Sequence, residues 1–146
     1  MVNHYAIQSI LTICLKIIEK VTENPRTIHT FMSMNTDLLL LEFSNETFVL
    51  NTQKQLAKDF NQNGFSFSQE FSEIALTREE IEQAVAEQLM EIMRLGETKL
   101  LQLLYTIDLP EKEFLSILNT PNFLQALAAK VVFKEAYKVY LRNRFS

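Results

Sequence analysis

With 146 residues and a formal net charge of −4, the chain is sized for a single domain, residues 1–146, and is acidic over most of its length. Almost half of it is apolar, and two Gly with three Pro supply few tight turns, which excludes a disordered chain and makes helix the default. A single cysteine, Cys14, excludes an intramolecular disulfide.

The first expected helix covers residues 3–23, with Gln8, Thr12, Lys16, Glu19, Lys20 and Glu23 on about a third of the circumference and apolar residues on the rest. That arc is wider than the ~100° stripe a helix needs to sit on a core. Its interruptions and the lack of a basic leader speak against a signal peptide or membrane span, so a cytoplasmic protein is expected. Two Lys balance two Glu on the polar face, which disfavours adhesion to an anionic membrane. Pro25 ends the helix.

Residues 37–50 read two ways: a β-hairpin around Ser44-Asn45-Glu46, or a short helix through residues 38–43 with Asp37 as its cap. Residues 52–62 form a helix with Leu56 and Phe60 inward, closed by Asn63-Gly64 in a left-handed cap. A Ser-rich linker follows, carrying Phe65, Phe67 and Phe71. Thr77-Arg-Glu-Glu80 is a capping box that opens the next helix, which buries Ile81, Val85, Leu89 and Ile92. Beyond Gly96 the centre of the apolar face turns by about 100°, one residue of helical rotation, so an irregularity is expected there. Close packing of another helix on Gly96 is the plainer explanation. Asp108-Leu109-Pro110 starts a short helix to Leu118, and Thr120-Pro121 starts the last one, ending near Arg144. The fold class is therefore mainly α, a compact bundle of four to five helices, with one small β-hairpin near residues 37–50 left open.

Catalytic and metal chemistry find little to work with. His4 and His29 are the only histidines and neither has a ligand at helical spacing, so no metal or cofactor is expected. Cys14 falls on the apolar face of the first helix, the setting of an inert thiol. Phosphate-binding and nucleophile-elbow motifs are absent, and Glu80, Glu87 and Glu91 share the polar face of an amphipathic helix. Glu42 and Asp108, beside apolar residues, are the acids singled out for burial. The reading is of a protein that is not an enzyme.

A binding surface is better indicated. Lys130, Lys134, Lys138 and Arg142 recur every four residues along one side of the last helix, with Arg144 beside them. Five basic groups against Glu135 give residues 130–146 a charge of +4, whereas nine basic against seventeen acidic groups give residues 1–129 a charge of −8. Such a stripe is a solvated face, a dock for an acidic protein partner, or a phosphate-binding track with Tyr137, Tyr140 and Phe145 for stacking. Met90 and Met93 project from the polar side of the 77–95 helix as an adaptable apolar contact surface, unless the Phe-rich linker covers them. The apolar surplus favours a homodimer. The expectation is a helical interaction or adaptor module. A nucleic-acid accessory protein and a small-molecule or lipid carrier with a pocket between helices are the competing readings.

Overall fold

A computed structural model describes residues 36–145, a run of helices with no strand among the described residues. The expected first helix, Cys14, His4 and His29 lie outside them. The six helices are α1 (Thr36–Glu42), α2 (Glu46–Gln62), α3 (Arg78–Leu95), α4 (Glu97–Ile107), α5 (Glu111–Ile117) and α6 (Phe123–Phe145), with a 3-10 turn at Gln69–Ser72 between α2 and α3.

Residues 37–50 are helical apart from a short turn, so the hairpin does not form. The Leu run is a good helix former, and Asn45 caps α2 by accepting from the Phe48 N–H at 3.3 Å. Helix α2 starts six residues before the position read from sequence because Thr47-Phe48-Val49 has strand-like composition. Packing overrides that preference: Phe48 is buried with Leu39, Ala136 and Val139. At the far end Gly64, with φ 86°, closes α2 in a Schellman motif, Phe65 N–H donating to the Phe60 carbonyl and Gly64 N–H to Asn61.

The linker is held by one buried side chain. The Gln53 amide donates to the Phe71 carbonyl at 2.6 Å and the Ile74 carbonyl at 2.8 Å, and its oxygen accepts from Leu76 N–H at 2.8 Å. Phe71 then stacks on Phe67, which tilts onto the core residue Phe60. Gln53→Leu leaves three backbone groups without their partner and is expected to cost about 2 kcal/mol in urea unfolding. An unchanged midpoint would show that the clamp carries no weight.

The capping box forms as read: Thr77 Oγ1 accepts from Glu80 N–H and Glu80 accepts from Thr77 N–H, both at 3.1 Å. Ile81, Val85, Leu89 and Ile92 are fully buried. At Gly96 the helix breaks, with φ 115° and ψ 176°, a conformation essentially restricted to glycine. A Cβ built there meets nothing within 4 Å, so the glycine serves the backbone turn and not close packing. Helix α4 thus buries its own set, Leu100, Leu103, Leu104 and Ile107. Asp108, in the left-handed region at φ 67°, ends α4, and Pro110 leads into α5, where Phe114 is buried edge-on to Phe123.

Helix α6 begins two residues later than Pro121, because the Thr120 hydroxyl donates back to the Ile117 carbonyl and closes α5 instead of capping α6. It is the central element, packed chiefly on α3 and α2 and also touching α1, α4 and α5. Its buried arc therefore takes in Leu124, Leu127, Ala128, Val131, Val132, Glu135, Ala136 and Val139, about half the circumference.

Candidate functional site

The centrality of α6 divides the basic stripe. Lys138 turns inward: its Nζ donates to Asp59 Oδ2 at 2.9 Å, to the Thr106 carbonyl at 3.0 Å and to Glu135 Oε1 at 3.4 Å. Arg142, an exposed residue, donates to the Gln55 side-chain oxygen, and Gln55 in turn donates to Asp59 Oδ2 at 3.1 Å. Asn63 completes the network, donating to the Asp59 carbonyl and to the Thr106 hydroxyl. These two cations join α2, α4 and α6 and are both engaged within the molecule, Lys138 turned inward and Arg142 from an exposed position.

Lys130 and Lys134, one turn apart and half-buried, make no hydrogen bond or ion pair among the described residues. Arg144 is exposed, donates to the Tyr140 hydroxyl at 3.0 Å and lies 5.8 Å from that ring's centre. The Tyr140 ring is stacked with Tyr137 at 6.5 Å between centroids. Helix α1 packs on the same end of α6 through Leu39 and leaves Leu38, Leu40 and Leu41 exposed. The outward strip of α6 is thus basic and aromatic.

The methionine surface is corrected. Met93 is buried at 4 % exposure and Met90 is half-buried against the same core, so neither lies free on an outer face. The widened buried face of α3 has a simple cause: α6 and α4 both pack on the helix and cover more of it than its Ile/Val/Leu stripe requires. Glu80, Glu87 and Glu91 are exposed, as expected of a solvated face.

Glu42 is half-buried and Asp108 exposed, so the sequence pointed at the wrong acids. The buried carboxyls among the described residues are Asp59, 4 % exposed, and Glu135, 0 %. Burial works to raise the Asp59 carboxyl, but hydrogen bonds with Glu135, Lys138 and Gln55 and the Lys138 charge outweigh it, holding it below the ordinary 3.8. Glu135 is pushed up to about 9, mainly by burial and then by the hydrogen bond and charge of Asp59, against the opposing pull of Lys138. One signal for Glu135 was in the sequence: Val131, Val132, Ala136 and Val139 surround it at helical spacing. Asp59 had no such flag, since Gln55 and Lys58 sit beside it on α2 and Lys138 is 79 residues away.

Among the described residues no three His, Cys, Asp or Glu converge as a metal site, and no helix is long and apolar enough to cross a membrane. An open groove of about 550 Å³ runs between α2 and the linker, lined by Lys54, Lys58, Asn61, Phe67 and Ser residues, with Glu73 at its edge. Comparison with protein-family models, curated proteins and solved structures finds no match.

Proposed function

We propose that this chain is a non-enzymatic helical interaction module that engages an acidic protein partner through the outward strip of α6 and associates with itself as a homodimer. One observation supports it above all: Lys130 and Lys134 stand adjacent and without a counter-ion among the described residues, while Lys138 and Arg142 are satisfied internally. Cations without partners on a helix whose outward residues include half-buried Phe133 and Tyr137 match a surface that carries negative charge and apolar side chains together. The same cations serve the nucleic-acid reading, with Arg144 and its tyrosine neighbours as the stacking element. The carrier reading draws no support from the dent beside Leu101, Leu104 and Phe114, whose volume of about 10 Å³ holds one water at most.

The test is charge reversal at Lys130 and Lys134 together, sparing the inward pair. Binding of a fluorescent Glu-rich amphipathic peptide is expected to weaken roughly tenfold or more, with urea unfolding unchanged. Equal peptide affinity for wild type and variant would overturn the reading. Preferential, steeply salt-dependent binding of single-stranded DNA by the wild type would replace it with the nucleic-acid one. Light scattering on the full chain decides the dimer: a monomer at high protein concentration removes it.

A further inference from the structure

Asp59 and Glu135 converge in the seam between α2 and α6, Lys138 Nζ lying 2.9 Å from Asp59 Oδ2 and 3.4 Å from Glu135 Oε1, and the interaction surface uses neither carboxyl. Two carboxylates share a single ammonium there, that of Lys138. Glu135 Oε2 is buried and meets no donor among the described residues. An ionised Glu135 offers only acceptors to a neighbour that also only accepts; a protonated one becomes the donor that Asp59 requires. We propose that Asp59 and Glu135 form a proton-operated latch between α2 and α6, closed while one proton bridges the two carboxyls and released when that proton leaves to solvent base.

With the proton in place, the groups in direct contact are Asp59⁻, Lys138⁺ and a neutral Glu135, and their charge is balanced; Arg142 reaches them only through the neutral Gln55, from an exposed position. Without it, the seam carries one uncompensated negative charge at positions 4 % and 0 % exposed, which a protein interior tolerates poorly. Charged groups acting on Glu135 come from α2, Asp59, and from α6, Lys138. Helix α4 contributes the neutral Thr106 carbonyl to Lys138. The arginines of α3 are engaged elsewhere, Arg78 with Glu82 and Arg94 with Glu91, and α1 and α5 bring no charge to bear on Glu135. Lys138 is 29 % exposed, so the latch has one side open to water through which the proton can exchange.

The direction of the effect follows from the raised affinity of Glu135 for its proton. The folded chain holds that proton and the unfolded chain releases it above the ordinary 4.5, so the contribution of Glu135 is complete below 4.5 and is lost as the pH rises towards about 9. Because Lys138 ties α2, α4 and α6 at one point, loss of charge balance loosens the C-terminal half of α6 first. The Arg142–Gln55 bond goes with it.

The experiment follows the side-chain carboxyl resonance of Glu135 in the ¹³C-glutamate-labelled full chain, with amide hydrogen exchange over the same pH series. The resonance is expected to titrate near pH 9. Amides in residues 55–63 and 135–142 are expected to lose protection steadily above pH 4.5, by up to about tenfold per pH unit, and to level off near pH 9, after correction for base-catalysed exchange. Glu135→Gln keeps a donor towards Asp59 without an ionisable proton, so its protection should stay flat. Titration of Glu135 near its ordinary value overturns the latch, as does parallel loss of protection in wild type and variant. If the variant does not fold, the wild-type resonance and protection decide alone: a fall in protection that levels off where the resonance titrates supports the latch, and a fall that continues unchanged past it, or no fall at all, overturns it.

Discussion

Lys138→Met is expected to lower the unfolding free energy by about 3–5 kcal/mol, the scale on which a buried ion pair resists loss of one partner. The variant leaves Asp59 charged and 4 % exposed, with only neutral donors around it, and removes the tie that α4 makes through the Thr106 carbonyl. The pH dependence is specific. Asp59 has a depressed proton affinity, so the stability it supplies is present above the ordinary 3.8 and disappears as the pH falls through the lower folded value. The penalty of Lys138→Met should therefore shrink in acid, where Asp59 is protonated in both proteins. Combining it with Asp59→Asn should recover more than half of the loss at neutral pH, because the orphaned charge is gone. Urea denaturation at two pH values measures all of this. A single variant as stable as wild type would mean that Lys138 is an ordinary surface lysine.

Phe60→Ala is expected to cost about 3–5 kcal/mol and to lower the melting temperature by roughly 10–15 °C. Phe60 is fully buried, and its ring meets Phe67 at 5.0 Å between centroids, with Phe67 stacked on Phe71 at 4.1 Å. Removing it opens a cavity in the main core and takes away the support of the linker rings, which the Gln53 clamp alone then holds. Calorimetry of the full chain gives the answer, and a drop of only a few degrees would show that the linker collapses to refill the space. The Gln53→Leu and Phe60→Ala losses should not add, since both act on the residue 71 region.

The candidate surface was only partly legible. The four-residue spacing of Lys130, Lys134, Lys138 and Arg142 correctly predicted one helix, but their division into outward and inward pairs depends on where α2 lies. Met93 was misplaced for a related reason: a helical wheel assumes one buried face, and α3 is covered by both α6 and α4. Glu135 is the sharper case. Its apolar neighbours on α6 were readable, yet a charged residue inside an apolar arc is a burial only if another element supplies counter-groups.

What the chain determined by itself is local, because the physics involved is local. The Thr77–Glu80 capping box, the Schellman close at Gly64, the break at Gly96 and the stripe of Ile81, Val85, Leu89 and Ile92 each involve residues within a few turns of one another. Helix over hairpin at residues 37–50 was undecided at that level, since Phe48 and Val49 suit either state until Ala136 and Val139 arrive to bury Phe48. Tertiary structure alone decided which ionisable groups leave water. Asp59 and Lys138 stand 79 residues apart, and no periodicity links them. Their proton and charge chemistry exists only because packing α6 between α2 and α3 removes the solvent that would otherwise keep each group at its ordinary ionisation.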